Sequence, residues 1–488
     1  MATDSRTATP SSDPSDAASD DHSFGHLEAA DPGRPGEPMK PVDRAWLRMD
    51  EPANLMSIHG VLVFDRRLDV ASMREVVRRR LVPIPRFRQR IVRGAGGWPQ
   101  WQETPELFLE RHVRAERLTG GGGEQGLREA VGRWMGEPFD LAHPPWSFHL
   151  IEDYEGGSAL VGRLHHAIGD GIALMLVLLS LTDTSAQEDL AAPLEVDSNP
   201  FAALFTQAEQ DFEAVRAATE RVMPEGMKLL LRPAQALRST GHLVKLLGST
   251  NALVRLPLRK RDPRTRFKGP LGVAKRAVWS RPIPLEEIRA LAERMDGNLN
   301  DVLAAALTGA LRRYLLARGP VPDGLDVRAA VPVNLRPLAE MANLGNRFGL
   351  VFLPLPLGIA EPHERVSELR RRMRALKHSA EPLVTFLILR TMGRLPLAAQ
   401  RAVVRLFATK TTAVLTSVPG PNRPLYVAGR RIRDLFFWVP QAGRVGLGLS
   451  ICTYDGRVRV GVASDAGLVP DPEAIVAALD DELAAMAL

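Results

Sequence analysis

Residues 158–181 read SALVGRLHHAIGDGIALMLVLLSL, and the succession of textures within them decides the fold class. SALVGRLHH (158–166) has the short apolar run of a strand. Ala167 to Gly171 then turns, and IALMLVLLSL (172–181) is apolar on every side, as a helix buried on all its faces must be. Strand, tight loop and buried helix in succession point to an α/β fold with mixed sheets. His165 and His166 end the strand, Asp170 lies on the loop that follows, and Gly171 is expected to permit close backbone approach where the helix starts.

Working outward, Met56 to Phe64 (MSIHGVLVF) reads as a strand, and Val70 to Arg80 as a helix after a short Arg-Arg-Leu-Asp break. Arg86 to Val92, Trp98 to Gln102 and His149 to Glu152 read as further strands, and Glu124 to Trp134 as a helix after the glycines 120–123. Residues 185–200 are polar and acidic, whereas Gly226 to Lys268 carries eleven Lys or Arg against one acid, Asp262. Beyond it come helices at Pro284 to Met295 and Asp301 to Leu316, the latter stopped by Gly319-Pro320. Strands follow at Val327 to Val333 and Leu350 to Leu357, then a helix with the apolar face Val366, Leu369, Met373 and Leu376. Further strands stand near Val414, Val445 to Thr453 and Val458 to Ala463. A chain of 488 residues is too long for one ordinary core. The expected division is a disordered acidic tail (1–38), an N-terminal domain (39–195), a basic crossover linker (196–269) and a second α/β domain (270–488).

Composition removes several classes of function. The one cysteine, Cys452, excludes an internal disulfide and a Cys-rich metal site, which fits a reducing cytoplasm. Residues 1–38 hold eight acids and two bases with no apolar stretch, so no secretory signal is read there. The longest apolar run, Ile172 to Leu179, is well short of the roughly 20 residues needed to cross a bilayer. The net charge of +6 calls for an anionic partner. Aromatic residues are 6% of the chain and do not intersperse with the basic clusters, which disfavours nucleic acid. Leu-rich clusters between the cations of 226–268 favour an anionic lipid surface. Ile388 to Lys410 alternates apolar and basic residues and reads as a helix with an apolar face and a cationic rim, which suits such a surface and ordinary core packing equally.

A histidine on such a loop suits proton transfer near neutral pH. Taken bare, the pair could equally be one core and one surface residue, with Asp-Gly a common turn. The whole run HHAIGDG, however, matches the HHxxxDG signature of coenzyme A-dependent acyltransferases and peptide-synthetase condensation domains. Within that superfamily the chain resembles the bacterial wax ester synthase/diacylglycerol acyltransferase family from about Pro41 to Pro472. The supporting stretches are LRMDEPANLMSIHGVLVF, EPFDLAHPPWSFHLIE, GNLNDVLAAALTGALRRYL, VPVNLRP, NLGNRFGLVFLPLPLG, TSVPGPNRPLYVAGRRI and LSICTYDGRVRVGVASDAGLVPD.

The resemblance implies two chloramphenicol acetyltransferase-like domains packed face to face around a tunnel. It gives His166 the role of general base, with His165 a positioning member of the motif and Asp170 structural. It also implies an ion pair from Asp170 to Arg336 in the second domain. Acyl-CoA would be the donor and diacylglycerol or a fatty alcohol the acceptor, at the inner membrane face or on lipid droplets, with no permanently bound cofactor and no metal. The rivals are a carrier-protein-dependent condensation enzyme and a non-catalytic droplet coat protein. Asn300-Asp301 matches a family element, but helix capping is the preferred reading. Pro144-Pro145-Trp146 reads as core. Ser417 and Thr453 stand where the family often carries asparagine and serine, and are candidate oxyanion donors. Cys452 reads as a core residue, so direct transfer is expected.

Overall fold

The decisive stretch folds as a strand to His165 and a helix from Gly171, and the remaining elements assemble around it. The structure is a computed structural model that describes residues 26–119, 122–187, 260–335, 344–377, 379, 381–441 and 443–488. The first half runs β1 (Gly36–Pro38), α1 (Pro41–Met49), β2 (Ser57–Phe64), α2 (Val70–Arg80), β3 (Gln89–Arg93), β4 (Pro99–Glu103), α3 (Leu109–His112), β5 (Val113–Ala115), α4 (Gly123–Met135), β6 (Trp146–Tyr154), β7 (Gly157–His165) and α5 (Gly171–Ser180). The second half opens with β8 (Lys275–Trp279), β9 (Ile283–Pro284), α6 (Leu285–Arg294), α7 (Leu299–Leu316), β10 (Asp326–Asn334) and β11 (Phe348–Pro356). It continues with α8 (Pro362–Lys377), α9 (Glu381–Met392), α10 (Leu397–Ala408), β12 (Ala413–Pro419), β13 (Tyr426–Val427), β14 (Arg430–Trp438), β15 (Leu447–Tyr454), β16 (Arg457–Asp465) and α11 (Glu473–Ala487).

β2 and β7 pair antiparallel inside a six-stranded sheet of order β13-β14-β2-β7-β6-β5. Both are buried along their whole length, because a helix covers each face. Met175, Val177 and Leu178 of α5 join Ile58, Leu62, Leu160 and Leu164 in one cluster. Leu127, Val131 and Trp134 of α4 join Val61, Val63 and Val161 in another. Burial on both faces is why the two strands read as nearly unbroken apolar runs rather than alternating ones. Gly60 and Gly162 are register partners. A Cβ on either would stand 3.3 or 3.6 Å from Leu178, so α5 seats that side chain on a floor of bare backbone.

The second sheet has seven strands, ordered β11-β10-β12-β15-β16-β8 with β9 also on β16. Its core is shared with α6, α7, α8 and α11 through Ile288, Leu307, Leu369 and Leu479. A three-stranded sheet, β1-β4-β3, stands apart from both.

Four expectations need correction. The segment 270–488 is not self-contained: β14 leaves it and pairs antiparallel with β2, because Leu435 to Trp438 supply the apolar edge that the first sheet lacks. Residues 26–38 are ordered, not a tail, with Leu27 buried and β1 paired to β4; residues 1–25 lie outside the described residues. The end of the crossover, from residue 260, is docked: Asp262 is buried and accepts from Arg328 N at 2.8 Å and Thr412 Oγ1 at 2.7 Å. Residues 196–259 lie outside the described residues. The basic segment read as one helix at 388–410 belongs to two, α9 and α10, broken at Gly393 to Pro396 where proline cannot continue a helix.

Candidate active site

The loop after β7 is pinned at both ends. His166 N donates to Met56 O at 2.7 Å, which ties the histidine to the entry of β2. At the other end Asp170 N donates to Gly345 O at 3.3 Å, and Asp170 Oδ2 accepts the Arg347 N–H at 3.0 Å. Asp170 therefore stitches the loop to the backbone ahead of β11 in the second half. Arg336, expected to pair with it, lies outside the described residues.

The two histidines have different surroundings. His165 is 1% exposed, and its Nδ1 accepts the Ala167 N–H at 3.0 Å. Its own proton is thereby assigned to Nε2, which faces Asp50 Oδ2 at 3.5 Å. His166 stacks on Trp46 of α1, with ring centroids 4.0 Å apart and planes 16° apart, and Phe348 tilts beside the stack, 5.8 Å from His166 and 5.7 Å from Trp46. Its Nδ1 is buried without a hydrogen bond, so Nε2 is the nitrogen that the adjoining cavity reaches. Burial pushes the His166 pKa down to about 4, which leaves the ring neutral at pH 7.

That cavity holds about 1310 Å³, counting the space at its open mouth. The first half contributes Trp46, Met49, His166, Asp170 and Gly171. The second half contributes Phe348 and Phe352 of β11, Ile388 and Met392 of α9, Phe407 of α10 and Val414 of β12, among others. Gly171 was expected to permit a close backbone approach. Instead, a Cβ there would meet open space, so glycine keeps volume in the cavity.

The weaker candidates separate. Ser417 lines the cavity and donates from Oγ to Asn300 Oδ1 at 3.0 Å. Asn300 is not the cap of α7: Asn298 is, in a reciprocal box in which Asp301 N donates to Asn298 Oδ1 at 3.0 Å and Asn298 N to Asp301 Oδ2 at 3.1 Å. Asp301 is therefore a capping residue, as read. Thr453 is not among the cavity-lining residues, and its Oγ1 accepts the Gly420 N–H at 3.2 Å. Trp146 is buried and donates from Nε1 to Phe87 O at 3.0 Å, while Pro145 O accepts the His165 N–H at 3.0 Å. The Pro-Pro-Trp element thus sets the strand that carries the histidines. Cys452 is buried in the core of the first sheet, where burial pushes its thiol pKa up.

Sequence reasoning missed Trp46, Asp43 and Asn346. Asn346 Nδ2 donates to the His166 main-chain oxygen at 2.9 Å and to Asp43 Oδ1 at 2.8 Å. The string GNRFG carried the only sequence signal for Asn346, as part of a family stretch. One other histidine has catalytic-looking partners: His149 Nδ1 lies 2.9 Å from Glu116 Oε1 and Nε2 3.1 Å from Ser147 Oγ. It stacks under Trp134, and neither Ser147 nor His149 lines the cavity at His166.

Comparison with known proteins bears on this arrangement directly. Residues 39–303 match the model of the wax ester synthase/diacylglycerol acyltransferase catalytic domain, and residues 344–487 that of the WS/DGAT C-terminal domain. A Mycobacterium tuberculosis protein named as a diacylglycerol O-acyltransferase is 27% identical over 414 residues, covering 83% of this chain and 85% of the relative. A Mycobacterium bovis protein with the same activity in its name is 28% identical over 473 residues, covering 92% and 89%. In fold, the chain is similar to the wax ester synthase/diacylglycerol acyltransferase from Marinobacter aquaeolei VT8, with TM-score 0.64, 21% identity and 92% and 98% coverage. It is also similar to the first condensation domain of the CDA synthetase, with TM-score 0.56, 15% identity and 92% and 96% coverage. The chain belongs to the wax ester synthase/diacylglycerol acyltransferase family and is an acyltransferase.

Proposed function

We propose that this protein moves a long-chain acyl group from acyl-CoA to the hydroxyl of a diacylglycerol, giving triacylglycerol, or of a long-chain alcohol, giving a wax ester, with His166 as general base. The observation that carries the reading is a buried imidazole at the edge of a large, mostly apolar cavity lined from both halves of the chain. His166 Nε2 takes the alcohol proton as the oxygen attacks the thioester carbonyl. The tetrahedral oxyanion collapses, the C–S bond breaks, and the coenzyme A thiolate takes the proton back from the imidazolium. Burial disfavours the imidazolium and so favours that return. Ser417, one of four hydroxyl residues in the lining beside Thr385, Thr411 and Thr416, can turn from Asn300 towards the oxyanion, a contact that contributes about 3–4 kcal/mol in comparable sites.

The acceptors are membrane-dissolved, and the reading includes docking on an anionic membrane face or lipid droplet. No helix among the described residues is long and apolar enough to cross a membrane. α9 and α10, which supply cavity residues, also present exposed Arg390, Arg394, Arg401 and Arg405, and no acid occurs between 382 and 410. Such a surface suits anionic headgroups. Flotation with vesicles with and without phosphatidylglycerol tests this; binding indifferent to anionic lipid and to salt counts against it.

The activity test is coenzyme A release from palmitoyl-CoA with dioleoylglycerol or hexadecanol, by the native protein and by His166→Ala. Acceptor-dependent release that is lost in the variant is expected. Release that survives His166→Ala removes the histidine from its role, and no release with either acceptor favours a carrier-protein donor.

A further inference from the structure

Asn346 stands just before β11 and is 8% exposed. Its Nδ2 hydrogens go to His166 O and to Asp43 Oδ1, and its main-chain N–H goes to the same Asp43 oxygen at 3.2 Å. A main-chain carbonyl and a carboxylate are both acceptors, so the amide nitrogen must face them and the orientation of the carboxamide is fixed. Asn346 Oδ1 is then left buried without a hydrogen bond, and so is Nδ1 of His166. The imidazole has two acceptor groups beside it, its own main-chain oxygen and the Asn346 side chain. A buried donor and a buried acceptor side by side are unfavourable unpaired, and a small turn of either group joins them.

We propose that Asn346 is the positioning residue for the base: it holds the His166 carbonyl through Nδ2 and takes the Nδ1–H of the ring on Oδ1. This rests on the reading of His166 as general base. A neutral imidazole accepts a proton only at the nitrogen that carries none. With the proton held on Nδ1, the lone pair of Nε2 faces the cavity; in the other tautomer it faces Asn346 and is useless to the alcohol. A carboxylate in this place would also orient the ring, but would stabilise the imidazolium and delay the proton's return to the thiolate. A carboxamide orients without that charge. Three segments share the task. Asp43 and Trp46 lie on α1, His166 on the loop after β7 and Asn346 ahead of β11, so the base is set only when both halves are seated.

The test uses the full-length protein labelled with ring-15N histidine, with His166→Ala to assign the signal and Asn346→Ala and Asn346→Ser as probes. Ring nitrogen shifts report the tautomer, and coenzyme A release from palmitoyl-CoA with hexadecanol reports kcat and KM. The expected result is an Nδ1–H tautomer in the native protein, which becomes mixed in the Asn346 variants. Their kcat should fall about 100-fold, within the loss that a wrongly held tautomer causes in a serine protease triad, while KM for palmitoyl-CoA stays within threefold. An Nε2–H tautomer in the native protein overturns the proposal, and that spectrum needs no variant to fold. So does an Asn346→Ala protein with native tautomer and kcat. An active His166→Ala instead overturns the underlying general-base reading.

Discussion

Adjacent in sequence, His165 and His166 are separated in role by what each ring nitrogen touches. His165 spends Nδ1 on the Ala167 N–H and turns Nε2 to Asp50, while His166 keeps Nε2 for the cavity. The motif and its loop were legible because they are local: a strand's end, a turn and a helix's start. Trp46, Asp43 and Asn346 were not, because their contacts with the His166 region cross from one part of the chain to another, and no spacing encodes that. Gly171 was legible as a glycine but not for its reason, since the space beside it belongs to the cavity rather than to neighbouring backbone. Gly171→Leu should therefore fold normally and obstruct the cavity. The expected outcome is a KM for acyl-CoA or acceptor raised about tenfold with a Tm no lower than native, whereas Gly171→Ala should change KM little and, through helix propensity, raise stability by up to about 1 kcal/mol. Steady-state kinetics beside a thermal melt check both.

At the scale of elements, the strands and helices with strong period or uniform apolarity were readable to within a few residues, β2, α2, β7 and α7 among them. α1 was missed because PVDRAWLRM packs as a short, largely buried helix whose arginines hide its pattern; Arg48 is itself buried and donates to Leu395 O at 2.7 Å. β14 was missed because RRIRDLFFW begins in charge and ends in aromatics, and it finds its partner strand in the other half of the chain. The break between α9 and α10 shows how such an element reaches the chemistry. A Cβ at Gly393 would collide with the main-chain oxygen of Pro41, at the first residue of α1. Backbone cannot yield cheaply, so Gly393→Ala should push away the helix that carries Trp46. Overpacking of this kind costs about 1–3 kcal/mol. The expected protein retains native circular dichroism, melts earlier and loses at least tenfold in kcat as the Trp46 stack on His166 loosens. A variant with native kcat would mean that α1 does not hold the ring.

For the whole molecule, the two halves are interleaved rather than merely adjacent. β14 completes the first sheet, and Trp438 Nε1 donates from it to Val278 O on β8 at 3.1 Å. Lys275 Nζ likewise reaches Ala53 O at 2.6 Å and Asp465 Oδ2 at 2.8 Å. One consequence of burying polar groups throughout this body is a specific acid sensitivity. Burial pushes the pKa of His59 down to about 3 and those of His112 and His166 down to about 4. The unfolded chain takes up protons on these rings from about pH 6.5 downwards while the native state does not, so stability falls as pH falls between those values. Each ring contributes roughly 1 kcal/mol per pH unit over that window. Asp43 acts with the opposite sign: burial raises its pKa to about 6, so the native state binds its proton before the unfolded chain does, and acid stabilises it between about pH 6 and 3.8. Burial lowers the pKa of His149 as well, so four histidines against one aspartate leave a net loss, and the window from pH 7 to 5 isolates it, since paired carboxylates such as Glu368, held at about 2 chiefly by its bonds to Arg371, titrate below that range. The Tm should drop on acidification across this window, and His166→Ala, which removes one of these rings, should make the drop shallower. A Tm that is level from pH 7 to 5 would mean that the rings are protonated inside the fold, and an imidazolium at position 166 could not serve as a base.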